Sequence, residues 1–415
     1  MGDIFRIMGG ARLNGRTVIP AAKNAVLPIM AAAVMTGESV TLHGCPALDD
    51  IANMAKILEE LGCQTRAAAG KLTIDGKNAH RYEMPDVLSK RLRSSIFMMG
   101  PLITRFGRAT VTYPGGCEIG LRPIDLHLKG LKRLGVEIRE EHGRIYCDGR
   151  HRRAGDVLLD FPSVGATENI MMAAVLTRGE TIIRNAAREP EIVDLQGFIN
   201  AMGGRVSGAG SGVVRIRGVD SLHGASYRPI ADRITAGTLL TAAAMTGGEI
   251  ALDGFSGESM DAVLAKLREA GCLIDESGGG LTLSAPGRLR AVDVFTQPYP
   301  GFPTDMQAQL MALCCVAEGT SIIVENVFES RFSHAAQLVR MGADVTVHHR
   351  TAVVRGGKLT GARVTARDLR AGAALVLAGL AADGMTEVEN VSLIDRGYER
   401  LEETLAALGA RIGRV

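Results

Sequence analysis

The chain has 415 residues, of which 46% are hydrophobic and 22% charged, as in an ordinary globular protein, and its length predicts two domains. A net charge of +2 and an aromatic content of 4% without tryptophan argue against nucleic acid as a partner. The first residues lack the apolar core of a signal peptide, and the longest apolar run, 25–35, is too short for a membrane span. The seven cysteines show no paired spacing, so a disulfide framework is not expected, and we predict a cytoplasmic protein.

The predicted elements repeat along the chain. An apolar helix-like stretch that ends in glycine and continues into a β-prone segment recurs with a period of about 70 residues. Its glycines fit the left-handed position after a helix, and they are Gly62, Gly135, Gly203, Gly271, Gly342 and Gly409. A second helix–glycine–strand marker keeps the same period at Gly37, Gly107, Gly179, Gly248, Gly319 and Gly384. The two markers together predict six units, each of two helices and short strands. Three units form a first domain (residues 21–229) and three form a second (residues 1–20 and 230–415).

The first chemically suggestive segment precedes an apolar helix. Lys23 and Asn24 lie where backbone N–H groups and the helix dipole favour an anion. The lysine at this helix start either remains solvated or binds a negatively charged ligand.

A glycine-rich segment, 113–123, surrounds Cys117 and ends near Arg122. Three glycines predict a loop, and a nearby cation lowers the pKa of a thiol, which favours the reactive thiolate. Cys117 is therefore a candidate reactive residue, whereas Cys314 and Cys315 lie in an apolar stretch typical of structural cysteines.

In the second half, Asp305 follows Pro303-Thr304 at a predicted helix start, where it either complements the helix dipole or takes part in chemistry. Three arginines, Arg331, Arg370 and Arg396, lie at the ends of predicted elements. Any one of these arginines could be a surface charge, but guanidinium groups also bind small dianions strongly. Metal-binding and nucleotide-binding motifs such as His-Glu-x-x-His and the P-loop are absent, so no metal or cofactor is predicted.

Taken together, these segments resemble the UDP-N-acetylglucosamine 1-carboxyvinyltransferases, a family of enolpyruvyl transferases. The resemblance covers essentially the whole chain, and it depends on segments at 22–25, 114–123, 163–167, 187–191, 302–309, 328–332 and 395–400. It implies an α/β fold of two inside-out α/β barrel domains with six βαβαββ repeats, three per domain. It also implies transfer of the enolpyruvyl group of phosphoenolpyruvate to the 3-hydroxyl of UDP-N-acetylglucosamine by addition and elimination, the first committed step of peptidoglycan precursor synthesis. That reaction needs no electron sink and hence no cofactor.

The resemblance also implies roles for individual residues. Cys117 would be the proton donor and Asp305 the base at the sugar hydroxyl, with Lys23 and Arg396 as further catalytic residues. The implied phosphoenolpyruvate ligands are Lys23, Asn24, Arg122, Arg331, Arg370 and Arg396. The implied nucleotide-sugar contacts are Asn24, Arg93, Arg122, Pro123, Ile124, Asp125, Leu126, Ser163, Val164, Gly165, Asp305 and Val327.

The chain departs from the family pattern at Phe161, where some members have lysine, and at Ala22, where glycine is frequent. Loss of the lysine would remove a cationic contact to the diphosphate. Two other functions stay open: a shikimate-3-phosphate enolpyruvyl transferase, against which Cys117 with Asp305 argues, and a non-catalytic paralogue that binds the nucleotide sugar. An RNA-end-binding protein on a related fold is disfavoured by the near-neutral charge, and the sequence does not specify the oligomeric state.

Overall fold

The computed structural model describes residues 3–68, 70–113 and 124–415, apart from the side chains of residues 90, 91, 93 and 94. These residues divide into two compact units. The first unit comprises residues 20–113 and 124–230, and the second comprises residues 3–19 and 231–415.

Helices and strands alternate through both units. The helices are α1 (Lys23–Ala33), α2 (Asp49–Glu60), α3 (Asp86–Arg91), α4 (Met99–Phe106), α5 (Asp125–Arg133), α6 (Val164–Ala174), α7 (Pro190–Ala201), α8 (Arg233–Thr246), α9 (Asp261–Glu269), α10 (Gln307–Cys314), α11 (Ala335–Arg340), α12 (Leu369–Ala381), α13 (Val391–Asp395) and α14 (Leu401–Ala407). Short 3₁₀ helices cover Arg93–Met98, Gly257–Ser259 and Thr304–Met306.

The strands are two to five residues long. They are β1 (Phe5–Met8), β2 (Asn14–Val18), β3 (Ser39–His43), β4 (Gln64–Ala68), β5 (Lys71–Asp75), β6 (Arg108–Thr112), β7 (Glu137–Glu141), β8 (Arg144–Asp148), β9 (Asp156–Leu158), β10 (Glu180–Arg184), β11 (Val206–Ser207), β12 (Val213–Arg217), β13 (Ser226–Tyr227), β14 (Glu249–Asp253), β15 (Leu273–Asp275), β16 (Gly280–Ser284), β17 (Val294–Phe295), β18 (Thr320–Val324), β19 (Asp344–His348), β20 (Thr351–Arg355), β21 (Arg363–Thr365), β22 (Met385–Glu389) and β23 (Arg411–Arg414).

The described residues form six small sheets, one for each predicted repeat. In the first unit the strand orders are β13-β3-β5-β4, β6-β8-β7 and β9-β10-β12-β11. In the second unit they are β2-β14-β16-β15, β17-β18-β20-β19 and β21-β22-β1-β23. Most sheets combine an antiparallel hairpin with a parallel edge strand from elsewhere in the chain; β14, for example, pairs with β16 antiparallel and with β2 parallel.

The left-handed glycines of the first marker are confirmed. Gly62, Gly135, Gly203, Gly271, Gly342 and Gly409 all have positive φ, between 79° and 105°. They end α2, α5, α7, α9, α11 and α14, the six helices that carry one apolar face each.

The other helix of each repeat is buried. In the second unit α8, α10 and α12 pack against one another, and nearly all of their residues are shielded from solvent. In the first unit α4 packs on α6, and α1 contacts the 3₁₀ helix that leads into α4. Their Ala-, Met- and Leu-rich composition follows from this burial, because such helices must be apolar all round. Each unit thus has its own hydrophobic core, around which the sheets are arranged.

Candidate active-site residues

Asp305 lies in the 3₁₀ turn that precedes α10, and two arginines hold its carboxylate. Arg331 Nη2 donates to Asp305 Oδ1 at 2.7 Å, and Arg370 Nη2 donates to Asp305 Oδ2 at 3.0 Å. Both arginine side chains are almost fully buried, with exposures of 4% and 5%, whereas 26% of the Asp305 side chain is exposed. The structure therefore brings together three predicted residues that are distant in sequence and places one acid between two cations.

The charges around this carboxylate determine its protonation. Burial alone would raise the pKa of Asp305, but the charges of Arg370 and Arg331 and their hydrogen bonds hold it well below its usual range. Asp305 is consequently ionised at neutral pH, and both of its oxygens accept hydrogen bonds from guanidinium groups.

Each arginine has a second support that the sequence alone did not indicate. Arg331 Nη1 donates to Thr304 Oγ1 at 2.9 Å, and Thr304 Oγ1 donates to Glu325 Oε2 at 2.8 Å. Arg370 Nη1 donates to the hydroxyl of Tyr398 at 3.1 Å. Thr304 and Tyr398 lie inside the segments that carried the family resemblance, but Glu325 had no sequence signal.

The buried Glu325 organises the predicted nucleotide-sugar contact Val327. Its Oε1 accepts from the backbone N–H groups of Val327 at 2.9 Å and Phe328 at 3.0 Å, and from Thr296 Oγ1 at 2.9 Å. One carboxylate therefore fixes the chain at Val327 and, through Thr304, one of the arginines that hold Asp305.

Arg396 is half-buried at the end of α13, on the same turn as Tyr398. His334 lies near Arg331 in the second unit, and burial lowers its pKa to about 4. This histidine is therefore neutral at physiological pH and adds no charge to the arginines.

In the first unit, Lys23 is the first residue of α1, so it lies at the predicted helix start. Its Nζ donates to Asp50 Oδ2 at 3.2 Å, with side-chain exposures of 11% for Lys23 and 4% for Asp50. Asn24 is exposed beside it. The lysine is thus a mostly buried, ion-paired residue rather than a solvated one.

The segment Ser163–Gly165 begins α6. Ser163 is the N-cap, and its hydroxyl accepts from the Ala166 N–H at 3.3 Å. A Cβ on Gly165 would come within 3.0 Å of His127 and 3.1 Å of Phe97, so a larger residue at this position would have to displace one of these rings. Phe161, the departure from the family pattern, is 47% exposed just before this segment.

His127 was not predicted from the sequence. It is buried beneath α6, and its Nδ1 accepts from Asn169 Nδ2 at 2.8 Å. Burial lowers the pKa of His127 to about 4, although Asp125 opposes this shift. The neutral imidazole supports the helix start that carries Ser163 and Gly165.

Ile124, Asp125 and Leu126 lie at the start of α5. Ile124 and Asp125 line a depression of about 680 Å³ in the first unit, together with the basic residues Lys129, Lys132 and Arg133. Cys117, Arg122 and Pro123 lie outside the described residues, as does the side chain of Arg93. Their predicted roles remain predictions.

The six cysteines within the described residues are free thiols, and five of them are buried. Burial raises their pKa values to about 11 for Cys45, Cys63, Cys272 and Cys314 and to about 12 for Cys147 and Cys315. They are therefore poor nucleophiles at neutral pH. Among the described residues no cluster of potential metal ligands occurs, and none of the helices is long and apolar enough to cross a membrane.

The chain is similar along nearly its whole length to known enolpyruvyl transferases. Residues 7–405 match the family model of EPSP synthase (3-phosphoshikimate 1-carboxyvinyltransferase). The chain is 50% identical over 413 residues to UDP-N-acetylglucosamine 1-carboxyvinyltransferase 2 of Caldanaerobacter subterraneus subsp. tengcongensis, with 99% of both chains covered. It is 52% identical to UDP-N-acetylglucosamine 1-carboxyvinyltransferase 1 of Symbiobacterium thermophilum, over 99% of this chain and 95% of the relative.

Solved structures agree with the fold. The enolpyruvyl transferase NikO from Streptomyces tendae is 25% identical and superimposes with a TM-score of 0.90, covering 100% of this chain and 99% of that one. EPSP synthase from Acinetobacter baumannii superimposes with a TM-score of 0.75 at 18% identity over the full length of both chains. The two-domain α/β architecture predicted from the repeats is thereby confirmed.

Proposed function

The chain belongs to the enolpyruvyl transferase family, and we propose that it transfers the enolpyruvyl group of phosphoenolpyruvate to the 3-hydroxyl of UDP-N-acetylglucosamine with release of phosphate. The observation that carries this proposal is the sequence identity of 50% and 52% between this chain and two UDP-N-acetylglucosamine 1-carboxyvinyltransferases, over 99% of its length. The carboxylate between two buried arginines supports it, because the reaction brings a carboxylate-bearing substrate to a base.

The chemistry divides among the residues as follows. The sugar hydroxyl adds to C2 of phosphoenolpyruvate while C3 is protonated. The tetrahedral adduct then loses phosphate from C2 and a proton from C3, which restores the double bond. Asp305 takes the hydroxyl proton and Cys117 supplies the proton to C3. Lys23, Arg122 and Arg396 bind the phosphate with Asn24 beside them, while Arg331 and Arg370 bind the substrate carboxylate. Fixed cations of this kind stabilise developing charge without reorganisation.

The two ion pairs of Asp305 make its basicity depend on whether phosphoenolpyruvate is bound. A carboxylate held by two guanidinium groups is a weak base, since protonation would cost both ion pairs. The carboxylate of phosphoenolpyruvate competes for the same donors. Its arrival therefore weakens the hold on Asp305 and makes that residue a better base when the substrate is present.

The nucleotide sugar is bound by Asn24, Arg93, Arg122 to Leu126, Ser163 to Gly165, Asp305 and Val327. With Phe161 in place of a lysine, the diphosphate lacks one cationic contact, so we expect weaker binding of the nucleotide than in relatives that have the lysine. Through this product the protein takes part in peptidoglycan synthesis in the cytoplasm, and hence in cell shape and division.

The two alternatives are less well supported. A shikimate-3-phosphate enolpyruvyl transferase corresponds to the more distant match, at 18% identity to the solved EPSP synthase. A non-catalytic paralogue would have no need to keep Asp305 between two arginines, because a buried charge cluster is costly unless it serves a purpose.

A phosphate-release assay separates these functions. The protein is incubated with phosphoenolpyruvate and either UDP-N-acetylglucosamine or shikimate 3-phosphate, and inorganic phosphate is followed with time. We expect phosphate release with UDP-N-acetylglucosamine as the acceptor and none with shikimate 3-phosphate. Release with shikimate 3-phosphate would overturn the proposed acceptor, and release with neither would favour the non-catalytic paralogue.

A further inference from the structure

We propose that Tyr398 is a positioning residue, whose hydroxyl orients the guanidinium of Arg370 for its contacts with Asp305 and with the carboxylate of phosphoenolpyruvate. This inference rests on the proposed function of Arg370 and adds a residue to which neither the sequence nor the resemblance gave a role.

The hydroxyl of Tyr398 is the centre of a fully buried polar cluster. It contacts Arg370 Nη1 at 3.1 Å, Gln309 Nε2 at 3.2 Å and Thr238 Oγ1 at 2.9 Å. Tyr398 is 2% exposed, and Thr238 and Gln309 are inaccessible to solvent. The contacts join α8, α10 and α12 to the turn after α13, so the cluster links all three central helices of the second unit.

The directions of these hydrogen bonds follow from the inventory of donors and acceptors. The contacting atoms of Arg370 and Gln309, Nη1 and Nε2, are donors, so the Tyr398 oxygen accepts from both. Thr238 donates its own hydroxyl hydrogen to the carbonyl of Ile234 at 2.7 Å. The hydrogen of Tyr398 must then go to Thr238 Oγ1, which also accepts from Gln309 Nε2 at 3.1 Å. The phenolic oxygen is thus held in one orientation and presents a fixed acceptor to Arg370.

That acceptor fixes the angle of the guanidinium. Arg370 is held at one nitrogen by Tyr398 and at the other by Asp305, and its guanidinium carbon lies 5.5 Å from the centre of the Tyr398 ring. Arg331 is held separately, by Thr304. Removal of the Tyr398 hydroxyl would therefore leave Arg370 held by Asp305 alone, with its Nη1 unsupported, and would not touch the contacts of Arg331.

Tyr398 also couples two predicted substrate ligands. It lies two residues after Arg396, and its N–H donates to the carbonyl of Ile394 at 3.1 Å, which fixes the turn that carries Arg396. The tyrosine thus ties the segment that carries a predicted phosphate ligand to a predicted carboxylate ligand. Phosphoenolpyruvate has both a phosphate and a carboxylate, so its binding would depend on this connection between the two arginines.

The test is Tyr398→Phe in the full-length protein, which deletes one oxygen and keeps the ring. Steady-state phosphate release with both substrates varied should show a KM for phosphoenolpyruvate raised about tenfold and kcat lowered severalfold. The KM for UDP-N-acetylglucosamine should stay within about twofold of the parent, since a charge-assisted hydrogen bond is lost at one ligand alone. If the role of Tyr398 were purely structural, the KM values for the two substrates would not change to different extents.

Two further variants keep the test decisive. Thr238→Val removes the acceptor of the tyrosine hydrogen, and it should change the KM for phosphoenolpyruvate in the same direction. The double variant should be no worse than Tyr398→Phe, because both changes act through one hydroxyl. Tyr227→Phe is the matched control: its hydroxyl bonds Asp194 in the first unit at 2.8 Å, and its loss should leave both KM values unchanged.

The outcomes are distinguishable. Unchanged KM values in Tyr398→Phe, or equal changes for both substrates, would overturn the positioning role while the parent still turns over. If Tyr398→Phe does not fold, Thr238→Val with a parental KM for phosphoenolpyruvate would overturn it equally. A parent enzyme without turnover would overturn the proposed function and this inference with it.

Discussion

At the scale of single residues, the contacts of Asp305 make it a charged group whose removal should destabilise the folded protein. Two buried arginines share this one carboxylate, so its removal leaves two neighbouring cations without compensation. Asp305→Asn should therefore lower the unfolding free energy by about 3 kcal/mol and reduce kcat at least about a hundredfold. Urea unfolding and phosphate release measure the two effects.

The control for this change is Asp253→Asn, which breaks a pair with Arg16 on the surface. Exposed pairs contribute little to stability, so this variant should unfold close to the parent. Parental stability of Asp305→Asn would mean that the two arginines do not depend on Asp305.

Six of the cysteines are described by the structure and Cys117 is known by its sequence context, and the contrast predicts where an electrophile reacts. The six described thiols have pKa values raised by burial, whereas Cys117 lies in a glycine-rich segment with Arg122. Fosfomycin, an anionic epoxide, should therefore alkylate Cys117 and spare the others. Peptide mass mapping after treatment checks this, and an adduct elsewhere with parallel loss of activity would contradict it. Cys117→Asp should resist the epoxide and keep measurable turnover, while Cys117→Ala should lose most of it.

Glu168 on α6 is a buried acid that the proposed reaction does not use. Neither of its carboxyl oxygens has a hydrogen-bond partner among the described residues. Burial, with the nearby charges of Glu191 and Glu189, raises the pKa of Glu168 well above its usual range. The folded protein therefore keeps this group protonated at pH values where the unfolded chain has already ionised, and stability falls as pH rises above about 4.3.

Glu168→Gln removes this proton linkage. The variant should gain stability relative to the parent, and the gain should grow between pH 5 and pH 8. Thermal unfolding at several pH values measures it, with the exposed Glu258→Gln as the control for replacing a carboxyl by an amide. A stability difference that is constant with pH would show that Glu168 is ionised in the folded protein.

At the scale of helices and strands, much of the fold was predictable because the repeats have local causes. A left-handed turn after a helix requires glycine, so the glycine period marked the helix ends directly. The second marker shows the limit of such reasoning. Of its six glycines, Gly107, Gly179, Gly319 and Gly384 have positive φ, whereas Gly37 and Gly248 do not. In the fourth repeat the left-handed residue is Gly247, and Gly248 is confined by the backbone of Leu13.

The contacts of the candidate site were less predictable, because they join residues far apart in the chain. Asp305 is 26 residues from Arg331 and 65 from Arg370, and Tyr398 is 160 from Thr238. The sequence indicated each arginine as an anion ligand, but the pairing with Asp305 depends on how α10 and α12 pack. Buried partners such as Glu325 and His127 have no local pattern, since any polar residue that is satisfied in three dimensions fits there.

The buried helices share one feature that the sequence does not show. Asn169, Thr238 and Gln309 each lie six residues after the N-cap of their buried helix or its leading turn, and each bonds to a neighbouring element. Asn169 accepts from the Gly100 N–H at 2.8 Å and donates to the Ile96 carbonyl at 2.9 Å as well as to His127. Polar cross-links at one equivalent level thus fix the packing of both helix groups.

Asn169→Ala should lower the unfolding free energy by about 3 kcal/mol, because it leaves several buried polar groups without partners. The matched change Asn200→Ala alters an exposed asparagine, and it should cost less. Binding of UDP-N-acetylglucosamine should weaken in Asn169→Ala alone, since His127 and Asn169 support the segment Ser163–Gly165. Equal losses of stability in the two variants would contradict the role of the buried network.

At the scale of the whole molecule, the chain closes its second unit with its own N-terminal residues. β1 pairs with β22 and β23, and β2 pairs in parallel with β14. Their pairing shows that the second unit needs both ends of the chain, whereas the first unit is closed within itself by the pairing of β13 with β3.

The central claim is that this chain forms an enolpyruvyl ether at the sugar 3-hydroxyl, and the structure of the product tests it most directly. Phosphoenolpyruvate labelled with ¹³C at C2 is incubated with the protein and UDP-N-acetylglucosamine, and the purified product is examined by NMR. We predict two vinyl protons and a three-bond correlation from the labelled carbon to H3 of the glucosamine ring. A correlation to any other sugar position, or unlabelled nucleotide sugar alongside released phosphate, would contradict the account.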